Sequence, residues 1–96
     1  MTVVAVATTE VQEDSADTNA KAYADYGDAV EAAEAFMFRC VGDFFGIDPG
    51  DEEGRKRALN ERLSRETSGG PGERRLELKY ECENLVLGAT VQETTV

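Results

Sequence analysis

The chain has 96 residues, 41% hydrophobic and 31% charged, with twenty acids, ten bases and no histidine, for a net charge of −10. That length suits one domain, and the charge argues against direct nucleic-acid binding, which depends on Lys and Arg neutralising phosphates. Without histidine, the commonest general base, metal ligand and neutral-pH switch are absent.

The charge is unevenly spread. Residues 1–54 hold thirteen acids against two bases, Lys21 and Arg39; residues 55–75 hold seven bases against three acids. A basic insert thus sits in an otherwise acidic chain. No apolar run approaches the ~20 residues needed to span a bilayer. The opening MTVVAVATTEVQED has no basic region of the kind that begins a secretory signal, so a soluble, cytoplasmic protein is expected. Three lysines, one isoleucine and abundant Ala, Val, Gly, Asp and Glu also fit a GC-rich or salt-adapted organism, in which an acidic surface carries no specific message.

In chain order, TVVAVATT at 2–9 is β-branched and Ala-rich and reads as a strand. EVQEDSADTN at 10–19 reads as an acidic link, with Ser15, Asp17 and Thr18 as candidate helix caps. A long helix is expected over 16–47. Its apolar residues form a heptad seam, with Tyr23, Val30, Met37 and Phe44 at one position and Tyr26, Ala33, Cys40 and Ile47 at the other. Toward its end Phe36, Phe38, Val41 and Phe45 widen the seam until the helix is apolar nearly all round. That end is expected to form the core, with Phe44 a buried aromatic whose removal severely destabilises the domain.

GIDPGDEEG then breaks the helix. Gly46 stops it, and Asp48 and Pro49 open a second, short, basic helix through RKRALNERLSRE. That helix is expected to be drawn electrostatically to the acidic half. TSGGPG at 67–72 is a loop. Beyond it Leu76, Leu78, Tyr80 and Cys82 alternate with Arg75, Glu77, Lys79, Glu81 and Glu83, as in a half-buried antiparallel strand. Glu83-Asn84 is the expected turn into a last strand, LVLGATV, and residues 93–96 are read as a polar tail. The expected fold is α+β: a small antiparallel sheet in β-α-α-β-β order with one long and one short helix on one face. It forms a single domain over 1–96, with its core at about 16–92.

Little in the chain is catalytic. Cys40 and Cys82 lack metal-type spacing and a His partner, and read as buried thiols. SGGPGERR is Gly-rich but lacks the Lys-Ser/Thr end of a P-loop and leads into a strand. DPGDEEG departs from the EF-hand spacing, and helix capping accounts for its acids. The expectation is a non-enzymatic protein without metal or cofactor.

One feature asks for a function. Asp25, Asp28, Glu31 and Glu34 place a carboxylate at every third position of the long helix. Like charges so spaced cost a few tenths of a kcal/mol each in an isolated helix. A basic protein surface that the ladder occupies in place of phosphates would give them a purpose. The expectation is therefore an acidic protein–protein interaction module, an inhibitor that mimics nucleic acid and blocks a basic nucleic-acid-binding surface. The alternative is a structural or assembly subunit, viral or from a salt-adapted organism. It would form a homo-oligomer through an aromatic helix face of Phe36, Phe38 and Phe45.

Overall fold

A computed structural model describes residues 1–96. A hairpin and a three-stranded meander flank a helical pair: β1 (Thr2–Gln12) and β2 (Ser15–Tyr23), α1 (Tyr26–Phe44) and α2 (Glu52–Asn60), then β3 (Ser64–Ser68), β4 (Arg75–Cys82) and β5 (Leu85–Thr95). The strands form one antiparallel sheet in the order β2-β1-β5-β4-β3. The fold is α+β, as expected, with both helices over one face.

The sheet has two strands beyond the three expected, β2 and β3. They are its two edges and bury almost nothing: every residue of β3 is exposed, and in β2 only Tyr23 is partly covered. Neither therefore shows apolar alternation in the sequence. Main-chain pairing to β1 and β4 holds them. The segment read as an acidic link is a tight hairpin turning at Glu13-Asp14, where Glu13 takes a φ of +45°. Consequently α1 begins ten residues later than expected, and Tyr23 belongs to an edge strand.

Asp25 is the N-cap of α1, its carboxylate accepting from the Asp28 N–H at 3.3 Å. Gly46 ends the helix as expected, with φ +66° and its N–H donating to the Asp43 carbonyl at 3.2 Å. The Ile47 N–H reaches back to the Gly42 carbonyl at 2.9 Å, which completes a Schellman motif. For α2 the N-cap is Asp51, which accepts from the Gly54 N–H at 3.0 Å. Asp48, expected in that role, instead accepts from the Gly50 N–H at 2.7 Å in a local turn.

The core lies between the sheet and α1. Ala29, Ala33, Met37, Cys40 and Val41 of the helix meet Val4, Val6, Leu76, Leu78, Tyr80, Leu85, Leu87, Ala89 and Val91 of the sheet. Phe36, Phe38 and Phe44 are only partly buried against this cluster, so the fully enclosed centre is Met37. The opposite sheet face is open. Across β2, β1 and β5 it carries Ala, Val, Thr, Gly and Gln without one charge, Ala5, Ala7, Ala20 and Ala22 at its middle. Charge is confined to the helical side and to β3 and β4.

The residues read as a polar tail complete β5, and Glu93 is buried. The chain ends are tied together: the Val96 N–H donates to the Met1 carbonyl at 2.8 Å.

Candidate functional site

The acidic ladder occupies α1 as four carboxylates in different circumstances. At ~3.6 residues per turn, a step of three falls about 60° short of a full turn, so the ladder winds across the helix surface. It begins at the cap, Asp25, and passes over the exposed Asp28 and Glu31. It ends at Glu34, whose Oε2 meets Arg65 Nη2 of β3 at 2.5 Å. Both partners in that pair are about half exposed, so it adds no more than about 1 kcal/mol. The fold thus uses the two outer rungs, whereas Asp28 and Glu31 have no cationic partner within the chain.

The three aromatics of the alternative surface are dispersed. Phe36 lies toward β2, with the Arg39 guanidinium 5.9 Å from its ring centre. Phe38 lines a groove between α1 and α2 together with Glu34, Glu52 and Lys56. Phe45, 49% exposed, stands edge-on to Phe44 at 5.1 Å beyond the helix end. These positions do not make one face.

The basic segment does engage the acidic helix, by two separate routes. Arg65 reaches Glu34 from β3, and Arg55 of α2 reaches Asp43 at 3.2 Å. Arg55 is itself buried. Its Nη2 and Nε donate to the Ile47 carbonyl at 2.6 and 3.1 Å, and Nε also to that of Asp48 at 3.3 Å. It closes the connection between the helices.

The Gly-rich loop holds an anion after all, and the anion belongs to the protein. Glu93 Oε1 accepts from the Gly72 N–H at 2.9 Å, the Arg74 N–H at 3.4 Å and Arg74 Nε at 3.0 Å. Its other oxygen takes Arg74 Nη2 at 2.8 Å. The Arg74 guanidinium also lies 4.2 Å from the centre of the Tyr26 ring, linking the loop to the start of α1. Gly72, at φ +88°, leaves room for Thr95, whose hydroxyl donates to the Gly72 carbonyl at 3.1 Å. The donors that resemble a phosphate cradle are therefore occupied by Glu93.

The hydrogen bonds from Arg74 hold the Glu93 carboxyl down to about 2, against an ordinary 4.5. A depressed carboxylate contributes stability that is complete above its unfolded value and lost as pH falls through its folded one. Melting temperature should therefore fall between about pH 4.5 and pH 2. Glu93→Gln should melt lower at neutral pH and lose less over that window. Thermal melts of both proteins from pH 6 to pH 2 test this, and equal slopes would remove Glu93 as the cause.

Cys40 is buried, and its thiol is pushed up to about 11, first by burial and then by the nearby Glu10 carboxylate. It is a protonated core residue at neutral pH and a poor nucleophile. Cys82 is a free, half-buried thiol. No three His, Cys, Asp or Glu side chains are grouped to hold a metal ion, and no helix is long and apolar enough to cross a membrane. No protein-family profile, curated protein or solved structure matches the chain.

Proposed function

We propose that the chain is a non-enzymatic acidic binding module that uses the exposed surface of α1 to occupy a basic protein surface in place of nucleic acid. The observation that carries this reading is the pair Asp28 and Glu31. They are exposed on the helix, next to further carboxylates, and are not neutralised by any of the chain's ten bases. Asp25 and Glu34 flank them and keep part of their charge toward solvent. Such an array gives long-range attraction to a cationic partner and sensitivity to salt. Assembly through Phe36, Phe38 and Phe45 has less support, because those rings lie in three separate places.

The test is the combined variant Asp25→Asn, Asp28→Asn, Glu31→Gln and Glu34→Gln. Asn is as good an N-cap as Asp, and the lost Glu34–Arg65 pair is a surface one. The variant should melt within a few degrees of the native protein. Proteins retained from a native lysate on the immobilised chain should be released by salt and by duplex DNA, and should be missing from the variant. Equal retention by both forms would defeat the proposal.

A further inference from the structure

The two bases of the acidic half, Lys21 and Arg39, are eighteen residues apart in sequence, yet the fold brings them to one cavity. On the helix-facing side of the sheet, Val6 pairs with Lys21 and Thr8 with Asn19 across β1 and β2. From α1, Ala32, Phe36 and Arg39 close the other side. The half-open space is about 180 Å³ and is lined also by Tyr23. Each cation lies near a ring that lines the same cavity: Lys21 Nζ is 5.3 Å from the Tyr23 ring centre, and the Arg39 guanidinium is 5.9 Å from that of Phe36. Neither cation is in an ion pair, although the surrounding half of the chain holds thirteen acids. The nearest carboxylates on this sheet face, Glu10 and Asp17, form the next cross-strand pair beyond Thr8 and Asn19 and bridge to neither cation.

We infer that this cavity is a binding site for a small organic anion, a carboxylate carried on a single ring-sized apolar body. Both cations are exposed and so stand at the rim, whereas Val6, Ala32, Phe36 and Tyr23 supply an apolar floor. An arginine fork fits a carboxylate in two-point contact, and a lysine adds a second charge-assisted bond. The Thr8 hydroxyl and Asn19 amide provide further polar contacts between rim and floor. Size sets the class: an apolar cavity of about 150 Å³ accommodates benzene, so this space admits one ring. The site opens between α1 and the edge strand β2, with Asp28 of the ladder one helical turn before Ala32 on the same face of the helix.

Benzoate is the probe, with benzamide and acetate as controls lacking the charge and the ring respectively. In NMR titrations of the full chain, benzoate should shift amide resonances saturably in residues 6–8, 19–23 and 32–39. Benzamide and acetate should bind more weakly. Lys21→Gln and Arg39→Gln should each weaken benzoate about tenfold, as expected for loss of one charge-assisted bond. Lys79→Gln, on the opposite sheet face, should leave it unchanged. Both substitutions are at exposed positions, and unchanged dispersion of the remaining resonances will confirm the fold. Absence of saturation with benzoate, or unaltered benzoate affinity in the Lys21→Gln/Arg39→Gln double variant, would overturn the assignment.

Discussion

Met37→Ala is expected to cost about 2–5 kcal/mol, the range for removing a long buried side chain from a core that cannot fully collapse. Met37 is completely enclosed at the centre of α1, within the single cluster that joins the helix to β1, β4 and β5. A domain of this size has a total stability of about 5–15 kcal/mol, and each kcal/mol shifts its melting point by roughly 4–8 °C. The variant should therefore melt at least about 8 °C lower or fail to fold. Phe44→Ala should cost less, because Phe44 is only partly buried and packs edge-on to the half-exposed Phe45. The heptad seam marks Phe44 as a buried aromatic, whereas in the structure it is only partly buried and Met37, one heptad earlier, is fully enclosed. Paired thermal melts decide it. A larger loss at Phe44 than at Met37 would mean that the aromatic end of α1 is the true centre of the core.

The burial of Met37 rather than Phe44 shows what the sequence could and could not convey. The alternation through β4 and into β5 was legible because each strand has one buried and one exposed face, and Leu76, Leu78, Tyr80, Leu85, Leu87, Ala89 and Val91 all lie in the core. The end of α1 was legible because Gly46 is the residue that a left-handed helix stop requires. Its start was not. Ala20, Ala22 and Ala24 favour helix, and the apolar period can be carried back to Tyr23, but β1 offers a nine-residue template that 15–23 takes up as an edge strand. Tertiary pairing overrode local propensity there.

The site residues divide along the same line. Asp28 and Glu31 keep the exposed placement that the ladder implies, whereas capping claims Asp25 and an ion pair claims Glu34. Whether a carboxylate is free depends on neighbours from β3 and from the turn before the helix, which spacing within one helix does not convey. Glu93 did leave a trace. Continuing the β5 alternation past Val91 puts its side chain on the buried face, where a charge demands a partner. Arg55 left none, because the first of three adjacent bases looks like its neighbours until the Ile47 and Asp48 carbonyls are seen beside it.

Arg55 leads to the second large effect. Arg55→Ala removes the donors to two backbone carbonyls at the junction of α1 and α2, and a hydrogen bond from a charged group is worth about 1.5–3 kcal/mol. Asp43 is 63% exposed and remains hydrated when its partner is lost, so the carbonyls and the lost packing set the penalty, at roughly 2–4 kcal/mol. Gly42 supplies the control. In an ordinary helix interior, Gly→Ala stabilises by about 1 kcal/mol. Here an added Cβ would lie 2.6 Å from Arg55 Cζ and 2.7 Å from its Cδ. The guanidinium is fixed by its hydrogen bonds and cannot yield without breaking them. Gly42→Ala should therefore destabilise the native protein. In the Arg55→Ala background the obstruction is gone, and the same substitution should become neutral or stabilising. That change of sign in a double-mutant cycle is the signature of direct contact, and denaturant titrations of the four proteins measure it. If Gly42→Ala raised stability in the presence of Arg55, the buried arginine would not be the fixed staple between the two helices.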